Sequence, residues 1–331
     1  MTRPIFGRVV PERWRTTGAT APGQRTVGEP GTARIAVDLL GGDQAPAVVV
    51  DGALRACQAD PSLHLTLVGP AKAADAVLSA LSPADRRRIT TVPTAADTVR
   101  SAVKVVAEGG ADALVSAGDT AATVISAARE LGRWPGVRRP PLAAVLPTRS
   151  GRLVLLDVGS TVDPDEETLV MHARLGAAYA SVVNQVTAPR VGLLTIGSEP
   201  GKGDRLRRAL PPLLATRPLP AGARYAGLVE GGDVVLGAAA DVVVTDGFTG
   251  NVLLKGLETG YALVGSPNPD TELPPRAALL LGVAGTVVVC HGAATGSDLA
   301  AGIAFAADLH RRASVAAIAD LLRYSEVSHD G

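Results

Sequence analysis

Residues able to bind an anion or move a proton gather in six short stretches of this chain, each directly after an apolar run. The first is Asp38-Leu39-Leu40-Gly41-Gly42-Asp43, and the second Ser116-Ala117-Gly118-Asp119-Thr120. The third is Asp157-Val158-Gly159-Ser160-Thr161-Val162-Asp163, and the fourth Ile196-Gly197-Ser198-Glu199-Pro200-Gly201-Lys202-Gly203-Asp204. The last two are Asp246-Gly247-Phe248-Thr249-Gly250-Asn251 and Cys290-His291-Gly292. A lysine between two glycines has little bulk around it, and a following helix would aim its first N–H groups at a phosphate. The GxxxxGK[ST] pattern of an ATP site is absent, as are the GxSxG elbow of serine hydrolases and the HExxH spacing of zinc enzymes. No metal and no cofactor is therefore expected. Taken singly, each stretch has a plain structural reading: Gly41-Gly42 as a tight turn, Asp119-Thr120 as a helix cap, His291 as a hydrogen-bonded loop residue. Six of one kind point to a shared polar site.

The elements that must position these residues follow from periodicity. Apolar runs predict strands at Arg34–Asp38, Leu63–Val68, Asp112–Ser116, Leu142–Leu146, Leu153–Asp157, Val191–Ile196, Asp241–Thr245 and Thr286–Cys290. The segments between them are long enough to be crossover helices. One is marked by Asp163 as N-cap, Pro164 at the first helical position and Glu166 completing a capping box, and runs through Leu169, His172, Leu175 and Tyr179. Strands alternating with helices predict a three-layer α/β/α sandwich with a largely parallel sheet, whose sites collect where strands end and helices begin.

Composition narrows the function. Lys+Arg and Asp+Glu both number 32, so the clustered basic surface of a nucleic-acid binder is not expected. Cys57 and Cys290 lie far apart and form no CxxC, which fits a reducing, cytoplasmic setting. The sequence contains no apolar run of the roughly 20 residues that span a bilayer. Residues 1–32, with Arg3, Arg8, Arg13, Arg15 and Arg25 among Gly, Pro and Thr, read as a disordered tail, and residues 33–331 as the working domain.

In this order, the motifs resemble the phosphate acyltransferase (PlsX) family over roughly residues 34–325. Asp38 to Asp43 is similar to that family's D-x-M-G-G-D, and Ser116 to Ala121 to its S-A-G-N-T-G. Arg139 to Thr148, Leu155 to Asp163, Pro189 to Gly197, Gly201 to Gly203, Asp246 to Lys255 and His291-Gly292 match its remaining motifs in sequence. The resemblance implies a fold like that of isocitrate and isopropylmalate dehydrogenase, a homodimer, and transfer of a fatty acyl group from acyl carrier protein to inorganic phosphate for phospholipid synthesis. Phosphate oxygen attacks a thioester carbonyl, so the site must hold an anion and stabilise an oxyanion. On this reading Lys202 and the Gly41–Gly42 amides hold phosphate, Asn251 and strand-end amides polarise the carbonyl, His291 assists proton movement, and Asp246 or Asp157 orients partners. Asp38, Asp43, Ser116, Gly118, Asp119, Thr120, Gly201 and Gly203 complete the binding loops.

Departures from the pattern are specific. Asp119 replaces Asn, Ala121 replaces Gly, Ser160-Thr161 replace Ala-Asn, and Gly232 stands where the family has Arg. Losing an arginine and gaining an acid both weaken an anion site. Gly256–Leu281 is also too short for the family's two-helix insertion, which argues against membrane association. Two alternatives therefore stand beside the main reading: a diverged acyltransferase using another carrier or acceptor, and a non-catalytic binder of acyl carrier protein.

Overall fold

The computed structural model describes residues 31–95, 97–199, 201–269 and 273–327, with side chains to residue 323. The tail predicted over residues 1–32 lies almost wholly outside the described residues. The strands are β1 (Ala33–Asp38), β2 (Leu63–Gly69), β3 (Ile89–Pro93), β4 (Ala113–Ser116), β5 (Leu142–Thr148), β6 (Gly151–Leu156), β7 (Arg190–Leu194), β8 (Arg224–Val229), β9 (Val242–Val244), β10 (Ala277–Leu280) and β11 (Thr286–Cys290). They form one 11-stranded sheet in the order β3-β2-β1-β4-β11-β10-β5-β6-β9-β7-β8.

All eight predicted strands are present. β3 and β8 escape the sequence pattern because they are the sheet's outer strands and only partly buried. β10, Ala-Ala-Leu-Leu, lacks β-branched residues and reads equally as helix.

The helices are α1 (Ala47–Ala59), α2 (Ala71–Ala80), α3 (Thr98–Ala107), α4 (Thr120–Glu130), α5 (Glu166–Val182), α6 (Arg205–Thr216), α7 (Gly231–Leu236), α8 (Gly247–Val264), α9 (Gly296–Arg311) and α10 (Ser314–Val327). Two apolar cores lie on the two faces of the sheet. One packs under α1, α5, α6, α9 and α10, the other under α3, α4, α7 and α8. α5 presents Leu169, His172, Leu175 and Tyr179 to the first core, all buried as its period predicts. Its cap differs from prediction. Asp165, not Asp163, accepts from the Thr168 amide at 2.9 Å and hydroxyl at 2.6 Å, so Glu166 opens the helix. The reason is spacing: Asp165 and Thr168 stand at the N-cap and N3 positions. The hydroxyl and amide of Thr168, with Arg138 beside them, hold the Asp165 carboxyl down to about 2.

β1 to β4 and β11 are mutually parallel, and so are β6, β9, β7 and β8. Between the blocks, β11–β10, β10–β5 and β5–β6 are antiparallel. Three reversals leave the two blocks running in opposite directions, so their strand ends lie at opposite margins of the sheet. Each block has a central strand, β1 or β7, with neighbours reached by connections on either side. Crevices form at such switch points.

The blocks also share a latch that no repeat in the sequence reveals. Arg34 holds both Asp112 oxygens, at 3.1 and 2.7 Å, and the Gly109 carbonyl. Arg190 holds both Asp241 oxygens, at 3.1 and 2.8 Å, and the Ala238 carbonyl. Both arginines open a central strand, and both aspartates precede its neighbour.

α8 ends at Val264 and β10 begins at Ala277, so a long helical hairpin is absent from the described residues between them. Among the described residues no helix is long and apolar enough to cross a membrane.

Candidate active site

The strand-end loops, whose similarity pointed to one shared polar site, assemble into two groups, one at each switch point. The cause is the reversal between the blocks.

At the first switch point, the Ser116 hydroxyl donates to Asp38 at 3.0 Å and receives the Gly118 N–H at 3.0 Å. A Cβ on Gly41 would lie 2.9 Å from the amide nitrogens of both Ala117 and Gly118, so only glycine lets these turns touch. The Asp43 N–H donates to the Gly292 carbonyl at 2.8 Å, which brings in His291 from the end of β11. Burial pushes the Asp38 carboxyl up, against the hydroxyls of Thr98 and Ser116. Asp119 caps α4, accepting from the Ala122 N–H at 2.7 Å, and Thr120 opens that helix. Asparagine caps as well as aspartate, so the departure at 119 preserves this local structure. Its cost is a negative charge beside the glycine turns.

At the second switch point, Asp157 is fully buried and accepts from the amides of Leu142, Gly159, Ser160 and Thr161 at 2.7–3.2 Å. Burial pushes its carboxyl up, against His172 and those amides. Asp157 thus shapes the loop itself. His172, also fully buried, presents Nε2 to the Arg139 carbonyl at 3.0 Å. Asp246 caps α8 through the Thr249 amide and hydroxyl, both at 2.8 Å. Burial alone would raise its carboxyl, but the Thr249 amide and the Arg207 guanidinium outweigh this and hold it below the usual range. Asn251, one turn into α8, donates from Nδ2 to the Val158 carbonyl at 3.0 Å. Gly250 lies flush on the Asp157 carbonyl, where a Cβ would come within 1.9 Å.

Lys202 is exposed and belongs to this second group. Its stem lies along Gly197 with the Glu199 carboxylate beside it, and Arg208 donates to the Gly203 carbonyl at 2.8 Å, so two cations and an acid share one loop. Gly201 and Gly203 both have positive φ, +87° and +85°. Gly232 lies at the start of α7, where an added Cβ would meet open space. Among the described residues there is no His/Cys/Asp/Glu cluster able to hold a metal.

Two residues of the site were not legible in the sequence. Arg207 is buried and ties Asp246, Asp204, Thr245 and the Leu194 carbonyl together across the second switch point. The Asp204–Arg207 pair is visible as an i,i+3 spacing, but its reach to Asp246 is not. Lys255 closes the α8 motif, and its Nζ meets Nε2 of His291, so α8 carries one group of loops to the other.

Comparison with known proteins agrees with the motifs. The family model described as "Fatty acid synthesis protein" matches residues 33–266, ending just past α8. A phosphate acyltransferase of Thermobifida fusca is 40% identical over 329 residues, covering 87% of this chain and 90% of that protein. One from Bacillus subtilis is 42% identical over 246 residues, covering 70% and 72%. Among solved structures, a branched-chain phosphotransacylase from Enterococcus faecalis V583 superposes with a TM-score of 0.57 at 16% identity, over 84% of this chain and 99% of that one. The fold is thus shared with phosphotransacylases, and the chain belongs to the phosphate acyltransferase (PlsX) family of fatty acid and phospholipid synthesis.

Proposed function

We propose that the chain transfers a fatty acyl group from acyl carrier protein to inorganic phosphate, releasing acyl phosphate for phospholipid synthesis. The observation that carries this reading is the pairing of the glycine loop that bears Lys202 with amide-rich glycine turns, joined through α8. The sequence put phosphate on both Lys202 and the Gly41–Gly42 amides, which lie in different groups. Donor type divides their roles: a lysine and an arginine side chain line the second loop, beside Glu199 and Asp204, and backbone amides line the first. Lys202 and Arg208 favour the anion at the second switch point, with Asn251 as an added donor. Asp43 and Asp119 place negative charge at the first, where the Gly41, Gly42 and Gly118 backbone suits a neutral thioester carbonyl. Ser116 and Asp38 keep those turns in shape, and Asp246 and Asp157 do the same for the second group.

The long mixed sheet supports the dehydrogenase-like variant of the sandwich. The exposed apolar end of α8, Leu263 and Val264, supports a homodimer. A cytoplasmic location follows from the reaction and from the cysteine usage. The test uses purified protein with acyl-acyl carrier protein and phosphate, following free thiol and hydroxylamine-trapped acyl phosphate. Thiol release independent of phosphate refutes the reading. A Lys202→Ala variant should raise the KM for phosphate by about tenfold or more, since a charge-assisted hydrogen bond contributes roughly 1.5–3 kcal/mol.

A further inference from the structure

The contact between Lys255 and His291 lies between the two loop groups and has no part in holding either of them. Lys255 is exposed, one turn beyond Asn251 on the same face of α8. Its backbone is set by that helix, with the Thr259 hydroxyl donating to its carbonyl at 2.9 Å. His291 is fixed from the other side, because its Nδ1 accepts the Ala293 N–H at 3.1 Å. Because Nδ1 accepts, the neutral ring carries its proton on Nε2, and that N–H faces Nζ of Lys255 and donates to its amine form. Histidine therefore reaches a bound substrate through Lys255. The neighbouring carboxylate is that of Asp43, packed on Gly292, which disfavours an anion resting here.

We infer that Lys255 is the acid of the transfer step and that His291 is its positioning residue, an assignment that rests on the acyl-transfer reading above. Phosphate oxygen forms the new C–O bond as the C–S bond breaks. The Lys255 amine takes the proton from the hydroxyl of the attacking hydrogen phosphate and, as the ammonium so formed, gives it to the leaving sulfur. Proton and charge balance without any further reactant. Lys202 keeps the separate role of binding the anion.

The experiment compares two donors with the same acyl group: acyl-acyl carrier protein, whose alkyl thiolate needs protonation, and an aryl thioester, whose thiolate leaves unaided. Lys255→Met should lower kcat with the first donor by roughly 10²–10⁴-fold, the usual yield of general acid catalysis. Most of that loss should disappear with the aryl donor, and the KM for phosphate should not change. Lys255→Arg should not rescue, because guanidinium does not release its proton at neutral pH. His291→Gln should show a smaller loss with the same dependence on the donor. Equal losses with both donors, a raised phosphate KM at unchanged kcat, or full activity of Lys255→Met would each overturn the assignment. Failure of the wild-type protein with both donors would instead refute the acyl-transfer reading.

Discussion

Replacing Arg207 tests how the second switch point is held. Its side chain is 8% exposed and that of Asp246 is 10% exposed. Nη2 donates to Asp246 at 2.5 Å and to the Thr245 hydroxyl at 2.8 Å, and Nε donates to the Leu194 carbonyl at 3.2 Å. The pair with Asp204 is 58% exposed on the acid side and adds little. Arg207→Met leaves the Asp246 carboxylate buried with no cation beside it, a loss of about 3–5 kcal/mol. The Thr249 amide and hydroxyl still hold Asp246, which places the expectation near the low end, ~3 kcal/mol. Asp246→Asn keeps the helix cap but leaves Arg207 only its weaker partners. The double variant buries no unbalanced charge, so its loss should fall short of the sum by roughly 1–3 kcal/mol. Urea unfolding followed by circular dichroism, at constant m-value, measures all four proteins. Additivity within about 0.5 kcal/mol would refute the coupling.

Other outcomes follow from the same geometry. The Asp246, Asp112 and Asp241 carboxyls are held below their usual values, each by an arginine and an amide working against burial. Their stability contribution is complete above the unfolded carboxylate pKa, near ~3.9, and is lost as pH falls through the lower folded values. Arg207→Met should flatten that acid limb in a pH series of urea midpoints. Gly41→Ala forces a Cβ to 2.9 Å from two backbone nitrogens and should abolish transfer while circular dichroism stays native-like. Asp119→Asn should change the unfolding free energy from urea titration by no more than about 0.5 kcal/mol, whereas Asp119→Ala should cost about 1 kcal/mol by removing the cap. Cys290, fully buried with its thiol pushed up to about 12, should resist a thiol reagent in the native state and react after unfolding.

Much of the fold is written in local pattern. Runs such as Val242–Val244 and Thr286–Cys290 are apolar because helices cover both faces of the sheet, and that continuity is readable. Outer strands β3 and β8 are half exposed and carry no such run. Each loop glycine was also readable as punctuation. The direction of the two blocks was not, because it depends on three pairings between strands far apart in sequence. The six loops therefore read as one shared polar site with no sign of their grouping, and Lys255 looked like the tail of a motif. Arg207 and His172 act through partners 39 and 33 residues away, a separation that periodicity cannot span.

The place of β11 in the sheet sets an order of events during synthesis. β4 is complete at residue 116, yet its neighbour on one side is formed by residues 286–290. A ribosome making about 5–20 residues per second leaves that flank of β4 without a strand for roughly 9–35 seconds. Throughout that interval the first block lacks His291 and presents a bare strand edge, the kind of surface on which chains aggregate. The emerging protein thus gains its proton-handling pair and loses its most adhesive edge in one late step.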